Sequence, residues 1–225
     1  MVDNLPCKNN GTTRILIVDD HPIVFEGLCR IIDREPDLEI CGNAKSAPEA
    51  IAAIAKYKPD LVTVDISLHE SDGLELIKDL KTTCPDLHIL VISMHEESIY
   101  AERVFRLGAK GYIMKDEVAE NLIKAIKIVL NQEKYMSDKL KTHLAHKAIR
   151  QNKENVDDPI RCLSDRELQV FHYLGNGYSN IQMAEILKLS VKTIEKYKDQ
   201  IKKKMSIKDN SELLKYCIRW LRSEK

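Results

Sequence analysis

Five polar residues are spaced along the first half of the chain in a way that suggests phosphoryl chemistry. Asp19 and Asp20 follow one apolar run, Asp65 follows a second, Ser93 a third and Lys115 a fourth. Three carboxylates brought together repel one another unless a cation neutralises them, and oxygen ligands of this kind suit Mg²⁺. Asp65 could then attack a phosphoryl donor, because Mg²⁺ and Lys115 would stabilise the charge on the transferred group. Ser93 could hydrogen-bond a phosphoryl oxygen.

Four short apolar runs must bring these residues together. Each run ends directly before one or two of the polar residues, and helical patterns separate the runs, which indicates a parallel sheet covered on both faces. Such a sheet binds ligands outside the carboxyl ends of its strands, so the polar side chains should converge there. The runs are Arg14–Val18, Asp60–Val64, Ile89–Ile92 and Gly111–Met114.

Taken singly, each of these residues has a commoner role. An aspartate after a strand usually forms a turn or caps a helix, and a lone lysine is usually solvated. The five together, each at the end of a strand, favour a phosphoryl-acceptor site.

Four segments of this region resemble the receiver domain of two-component response regulators. They read Val-Asp-Asp-His-Pro at 18–22, Val-Asp at 64–65, a serine at 93 and Leu-Gly-Ala-Lys-Gly-Tyr-Ile-Met-Lys-Asp at 107–116. The resemblance covers residues 12–131 and implies an α/β receiver domain with a doubly wound, five-stranded parallel sheet of the flavodoxin type. It also implies that a sensor histidine kinase supplies the phosphoryl group.

This resemblance gives each residue a role. Asp65 would be the phosphorylation site, and Lys115 would pair with the phosphate. Ser93 and Tyr112 take the switch positions, where the hydroxyl moves toward the phosphoryl group and the aromatic ring turns inward. The implied Mg²⁺ ligands are Asp19, Asp20, Asp65 and the backbone carbonyl of Ser67.

Some residues depart from the usual receiver pattern. His69 stands where a proline is common, and Met94 stands where alanine commonly follows the switch hydroxyl. We expect Met94 to slow exchange with small phosphodonors, and a Met94→Ala variant that reacts no faster would refute this. Ser67 and His95 take positions that tune dephosphorylation in this family. His95 either positions or blocks an attacking water, or is an exposed loop histidine.

Length and charge indicate a second domain with a polyanionic partner. The 225 residues exceed the usual size of one α/β module. The net charge of zero hides an asymmetry, because residues 161–225 hold 14 lysines and arginines against 8 acids, a balance of +6. This favours binding to a polyanion, although a solvated lysine-rich face would have the same composition.

The remaining composition predicts a cytoplasmic protein without a membrane segment. No run is long enough to span a bilayer, and the N-terminus lacks a signal-peptide core. The cysteines show no paired CxxC spacing, which predicts reduced and mostly buried thiols. They are Cys7, Cys29, Cys41, Cys84, Cys162 and Cys217.

A linker is predicted at residues 132–159. A weak helical pattern covers Asp138–Ile149, and the polar stretch Gln151–Pro159 has no periodicity and reads as a flexible joint. The amphipathic segment before the linker, Glu117–Leu130, is the expected last helix of the receiver domain.

Beyond the linker the pattern predicts a small, all-α helix-turn-helix domain. Serine or asparagine begins each of four short helices, and a tight connection joins the second to the third. The third helix carries an inward stripe (Leu189, Ile194, Ile201 and Met205) and lysines on its other faces, which is typical of a helix that meets phosphates. The helices are Ser164–Leu174, Ser179–Leu187, Ser190–Met205 and Asn210–Trp220.

Residues 160–222 resemble the LuxR-type DNA-binding domain of the NarL/FixJ regulators. The segments that carry the resemblance are 163–171, 177–181 and 189–197, which read LSDRELQVF, GYSNI and LSVKTIEKY. The resemblance implies that Glu195, Lys196 and Asp199 face base edges. The implied contacts to the DNA backbone are Ser190, Lys192, Thr193, Tyr197 and Lys203.

Two of these DNA-binding positions have alternatives. Glu195 stands where lysine is common, and it either accepts from a cytosine amino group or pairs with a neighbouring lysine. Tyr197 stands where histidine is common, and it either contacts DNA or is a partly buried aromatic residue.

The two resemblances together identify the chain as a response regulator and transcription factor of the NarL/FixJ type, not an enzyme. They imply a homodimer that forms on phosphorylation or on inverted half-sites of double-stranded DNA. The last helix would pair through Leu213, Leu214, Cys217 and Ile218, unless these residues are core.

Two alternatives to this interpretation remain. One is a DNA-binding regulator whose degenerate receiver is never phosphorylated. The other is a phosphatase of the haloacid-dehalogenase type, which is disfavoured because such enzymes need a second aspartate where Ser67 stands.

Overall fold

The computed structural model describes residues 11–68, 71–95, 97–142, 159–187 and 189–223, and it divides the chain into two compact units, Met1–Lys147 and Ala148–Lys225. His69 and most of the predicted linker lie outside the described residues. The predicted domain limits at 131 and 160 therefore stay predictions. Within the described ranges, no helix is both long and apolar enough to cross a bilayer.

Strands and helices alternate through the first unit. The five strands are all parallel and lie in the order β2-β1-β3-β4-β5, which confirms the doubly wound sheet. In chain order the elements are β1 (Thr13–Val18), α1 (Pro22–Ile32), β2 (Leu38–Ala44), α2 (Ala47–Tyr57), β3 (Leu61–Val64), α3 (Gly73–Thr83), β4 (His88–Ser93), α4 (Glu97–Arg106), β5 (Gly111–Met114) and α5 (Val118–Leu130).

The sheet register places the ends of the central strands side by side. Val18 of β1 pairs with Val64 of β3, and Val64 pairs with Val91 of β4. All four residues of β3 are buried, because helices cover both faces of the sheet. The residues that follow β1 and β3 therefore emerge next to each other at one edge.

Gly73 allows α3 to begin against the end of β3. A Cβ atom at Gly73 would lie 2.2 Å from the backbone oxygen of Asp65 and 2.7 Å from the Cα of Ile66. We expect Gly73→Ala to lower the free energy of unfolding by about 1–3 kcal/mol, because the loop that carries Asp65 must move. Urea unfolding measures this loss.

The matched control for this substitution is Gly27→Ala in α1. No atom lies within 4 Å of a Cβ at Gly27, and alanine is favoured over glycine inside a helix by about 0.5–1 kcal/mol. The control should be neutral or stabilising. Equal losses in the two variants would contradict the close approach at Gly73.

A short segment after α5 lies along the outer edge of β5. We call residues 134–140 the edge strap. The Tyr135 amide donates to the Lys110 carbonyl at 2.8 Å, and the Tyr112 amide donates to the Tyr135 carbonyl at 3.3 Å. Ser137 then binds Glu97, the first residue of α4. Residues 138–142 are helical, in agreement with the start of the predicted linker helix.

The second unit contains the four predicted helices. They are α6 (Asp165–Gly175), α7 (Asn180–Ile186), α8 (Val191–Lys204) and α9 (Asn210–Ser223), after a 3-10 turn at Pro159–Cys162. Ser164 forms a capping box with Glu167 at the start of α6, and Ser179 forms a second one with Gln182 at the start of α7.

The cysteines agree only in part with the prediction. The five in the described residues are free thiols, but only two of them are buried, so the expectation of mostly buried thiols is wrong. The periodicity of apolar residues did not distinguish cysteines in the core from cysteines at its edge. Cys41 and Cys217 are buried, Cys29 and Cys84 are half-buried, and Cys162 is exposed.

Candidate phosphoryl-acceptor site and nucleic-acid interface

The predicted acids and lysine converge at the carboxyl edge of the sheet. Asp19 follows β1, Asp65 follows β3 and Lys115 follows β5. The ammonium Nζ of Lys115 lies 2.7 Å from Oδ2 of Asp19 and 2.7 Å from Oδ2 of Asp65. Both carboxylates are buried, and each is only 3% exposed. Two buried carboxylates, each positioned by the end of a strand, therefore share the ammonium group of Lys115.

His21 joins this site, and the sequence reading missed its role. Its Nδ1 lies 3.0 Å from Oδ1 of Asp19 and 3.0 Å from Oδ1 of Asp20. Asp19, Asp20, His21 and Asp65 offer one possible metal-ligand atom each, all within 4.8 Å of one another. Three carboxylates in this cluster suit a hard divalent cation. The position of His21 directly after Asp19 and Asp20 is the sequence feature that could have indicated this role.

The electrostatics of the site follow from its burial. Burial raises the pKa of Asp65, Lys115 opposes that rise, and Asp19 adds to it. Burial alone would lower the pKa of Lys115, but Asp65 and Asp19 outweigh it and raise that pKa. Lys115 therefore stays charged, and its single positive charge is outnumbered by the neighbouring carboxylates.

The two predicted switch residues meet at the backbone of His95. Ser93 Oγ accepts from the His95 amide at 3.2 Å, and the Tyr112 hydroxyl donates to the His95 carbonyl at 2.7 Å. Both side chains are fully buried. A movement of either one therefore changes a hydrogen bond of the loop between β4 and α4.

The side chain of His95 links this loop to the loop that carries Asp65. Its Nε2 lies 2.7 Å from Ser67 Oγ, and the Ser67 amide donates to Oδ1 of Asp65 at 3.1 Å. His95 is only 6% exposed and packs on the ring of Tyr100, so its reading as an exposed loop histidine is wrong. Met94 is 74% exposed instead, and its side chain faces solvent.

Helix α8 has one apolar and one polar face, as predicted. Ile194 and Ile201 are fully buried, while Leu189 and Met205 at the margins of the stripe are half-buried. The predicted DNA-binding residues lie at or near the surface. Ser190, Lys192, Glu195, Lys196, Asp199 and Lys203 are exposed, and Thr193 and Tyr197 are half-buried.

Three of these residues also make contacts within the unit. Ser190 caps α8 by accepting from the Thr193 amide at 3.1 Å. Asp199 lies 3.0 Å from the ammonium group of Lys202, one turn along the helix. Ser190 therefore has a structural role, and Asp199 is paired in the free protein.

In α9, the residues expected to pair two copies divide between two roles. Leu213 and Cys217 are fully buried and belong to the core of the unit. Leu214 is exposed and Ile218 is half-buried. Only the latter two leave apolar surface for another chain.

Glu167 fastens the start of α6 to the end of α8. Its Oε2 accepts from the Ser164 amide and from the ammonium group of Lys204, each at 2.6 Å. Burial raises the pKa of Glu167, but the hydrogen bonds from Lys204 and Ser164 outweigh it and lower that pKa. A depressed pKa means that Glu167 adds stability above its unfolded-state pKa and loses it as the pH falls through the folded-state value.

We expect Glu167→Gln to lower the stability of the second unit at neutral pH by about 1–3 kcal/mol. The difference from the wild type should shrink as the pH falls below about 4. Trp220, the single tryptophan, lies on α9 and reports unfolding of this unit by fluorescence.

The control is Glu185→Gln, an exposed site on α7 with the same chemical change, which should have little effect. A difference between Glu167→Gln and wild type that stays constant from pH 7 to below about pH 4 would rule out the charge on Glu167 as its cause.

Comparisons with known proteins agree with this geometry. The family model for the response regulator receiver domain matches residues 15–127. The family model for bacterial regulatory proteins of the luxR family matches residues 161–217. The oxygen regulatory protein NreC of Staphylococcus aureus (strain MRSA252) is 35% identical over 210 residues, which cover 92% of this chain and 97% of NreC.

Solved structures show the same fold. A two-component response regulator of the LuxR family from Aurantimonas sp. SI85-9A1 is 33% identical with a TM-score of 0.58, covering 61% of this chain and 99% of that one. RcsB from Salmonella enterica serovar Typhimurium, bound to promoter rprA in the presence of phosphomimetic BeF3-, is 24% identical with a TM-score of 0.60. That match covers 92% of this chain and 98% of RcsB and supports the fold alone. The chain belongs to the NarL/FixJ family of DNA-binding two-component response regulators, in which a receiver domain precedes a LuxR-type domain.

Proposed function

We propose that Asp65 accepts a phosphoryl group from a sensor histidine kinase and that this controls dimerisation and DNA binding. The observation that carries the proposal is the ammonium group of Lys115, which lies 2.7 Å from a carboxylate oxygen of Asp65. The Ser67 amide binds the other oxygen of Asp65. A carboxylate held beside a fixed cation suits phosphoryl transfer, because charge on the transferred group is stabilised there.

Mg²⁺ is the proposed cofactor of this reaction. Its proposed ligands are oxygen atoms, a donor set that Mg²⁺ prefers over sulfur or nitrogen. When bound, Mg²⁺ supplies positive charge that offsets the carboxylates and the phosphoryl oxygens. The ligands would be Asp19, Asp20, Asp65 and the backbone carbonyl of Ser67.

The proposed transfer needs no change in the protonation of Lys115. A carboxylate oxygen of Asp65 forms a bond to phosphorus while the bond from phosphorus to the imidazole nitrogen of the kinase histidine breaks. The Lys115 ammonium group then turns a hydrogen bond from Asp65 toward a phosphoryl oxygen. Asp19 stays bound to Lys115 during this step, because the ammonium group already contacts the carboxylates of both Asp19 and Asp65.

Ser93 and Tyr112 are the proposed switch residues. Ser93 would give up the His95 amide to hydrogen-bond the phosphoryl group, and phosphorylation would stabilise Tyr112 in the inward position that it already holds here against the His95 carbonyl. Phosphorylation then favours a conformation of the loop after β4 that is minor in the free protein. The change in population is the signal that reaches the rest of the chain.

The second domain would read DNA through α8. We assign Glu195, Lys196 and Asp199 to base edges, and the exposed lysines among the other predicted contacts to phosphates. Asp199 then either leaves Lys202 to contact a base or remains paired with Lys202 when DNA binds. The contacts assigned to the DNA backbone are Ser190, Lys192, Thr193, Tyr197 and Lys203.

Binding as a homodimer to inverted half-sites completes the proposal. Of the four α9 residues expected to pair two copies, Leu214 and Ile218 keep surface for this contact. A regulator that binds the chromosome and receives its phosphoryl group from a kinase works in the cytoplasm of a bacterium.

The test measures sedimentation and DNA affinity of the full chain with and without Mg²⁺ and a small phosphodonor. We expect both reagents together to raise the sedimentation coefficient and tighten DNA binding, and chelation of Mg²⁺ to prevent both effects. DNA affinity and sedimentation that ignore the phosphodonor would favour a phosphorylation-independent regulator instead.

A further inference from the structure

The edge strap is anchored at two points beside the proposed switch residues. One anchor is the amide of Tyr112, which donates to the Tyr135 carbonyl. The other is Glu97, which begins α4 two residues after His95. The switch hydrogen bonds of Ser93 and Tyr112 both end on the His95 backbone. Both anchors therefore lie beside the loop that the proposed movement of Ser93 would change.

The anchor at Glu97 is a specific two-point contact. Oε1 of Glu97 accepts from the Ser137 amide at 3.0 Å, and Oε2 accepts from the Ser137 hydroxyl. Ser137 Oγ also accepts from the Leu140 amide at 3.1 Å, so the same residue begins the helical turn that follows. Glu97 is only 6% exposed, and burial raises its pKa against the effect of these hydrogen bonds. A buried carboxylate needs such donors, so the contact favours one position of the strap.

Apolar packing holds the strap beside this contact. Tyr135 and Leu140 are both buried, and Tyr135 belongs to the core cluster between the sheet, α1 and α5. The ammonium group of Lys134 lies 5.6 Å from the ring centre of Phe105 on α4. The strap is thus a defined part of the first unit and not a loose chain end.

We propose that the edge strap is a releasable clamp, in which Ser137 stays bound to Glu97 while Asp65 is unphosphorylated and leaves it when Asp65 is phosphorylated. The inference rests on the proposed function, because it takes Asp65 as the phosphoryl acceptor. It adds a route from the acceptor to the linker: Ser67 to His95, His95 to the start of α4, and Glu97 to Ser137. The strap itself then gains freedom only after phosphorylation.

Amide hydrogen exchange of the full chain, followed by mass spectrometry of peptides from residues 133–142, tests the clamp. On phosphorylation with Mg²⁺ and a small phosphodonor, we expect the strap amides to exchange faster by about tenfold or more. Glu97→Gln and Ser137→Ala should show fast exchange already without the phosphodonor. The double variant should be little faster than either single variant, because both changes break the same contact.

Glu133→Gln is the matched control, because it makes the same chemical change at an exposed residue next to the strap and should leave the exchange unchanged. Intact-mass spectrometry of the same samples separates two failures. An adduct on Asp65 without faster strap exchange overturns the clamp and leaves the proposed function standing. No adduct at all overturns both. Slow exchange in both Glu97→Gln and Ser137→Ala also overturns the clamp.

Discussion

Replacing Asp65 by asparagine is expected to abolish the phosphoryl adduct that the chain forms with Mg²⁺ and a small phosphodonor. The amide keeps the shape of the side chain but is a far poorer nucleophile and cannot hold Lys115 by charge. We expect adduct formation to slow by at least about 10³-fold, measured by intact-mass spectrometry over time. Asparagine has nearly the size of aspartate, and Asp19 still binds Lys115, so the variant should fold.

Asp86→Asn provides the matched control, because it makes the same change at an exposed aspartate after α3. Its rate of adduct formation should equal that of the wild type. Circular dichroism of both variants checks the fold. An adduct of full yield on the Asp65→Asn variant would remove Asp65 from the site and direct the search to another acceptor.

Neutralising three exposed lysines of α8 is expected to weaken DNA binding strongly. Each lysine that contacts a phosphate contributes about 0.9 to the slope of log affinity against log salt. We therefore expect the combined Lys192→Gln, Lys196→Gln and Lys203→Gln variant to reduce that slope by about 2–3 and the affinity by about 10²–10³-fold. Fluorescence anisotropy with labelled duplex DNA at several salt concentrations measures both quantities.

A triple variant with the same change of charge in the first unit separates local contacts from net charge. Lys45, Lys78 and Lys124 are all exposed there, and their replacement by glutamine should leave the salt slope nearly unchanged. Equal weakening in both triple variants would mean that overall charge, and not α8, determines the affinity. An unchanged slope in the α8 variant would place the DNA interface on another surface.

The sheet and its acid site could be predicted because their signals are local. Four of the strands are short apolar runs. Asp19, Asp65 and Lys115 directly follow their strands, and Ser93 ends β4. Once the runs are read as parallel strands, their polar ends must meet at one edge. The starts of α6 and α8 could also be predicted, because the serine that caps each helix directly precedes it.

The contacts between these local elements could not be predicted in the same way. Ser67 and His95 are 28 positions apart, and Glu97 and Ser137 are 40 apart. Neither pair has a sequence pattern, because a single hydrogen bond imposes no periodicity. Tyr135 pairs with β5 through one residue only, too short for the alternation that marks a strand. The burial of His95 depends on such contacts, so the sequence alone could not decide whether this histidine is buried or exposed.

Tyr135 also affects how the protein behaves at high concentration. β5 is the last strand of the sheet, and an open strand edge can pair with the edge of another molecule and start aggregation. Tyr135 occupies the Tyr112 amide and the Lys110 carbonyl on that edge. A receiver domain cut at residue 131 would lose this protection, so it should aggregate more readily than one that ends after residue 142.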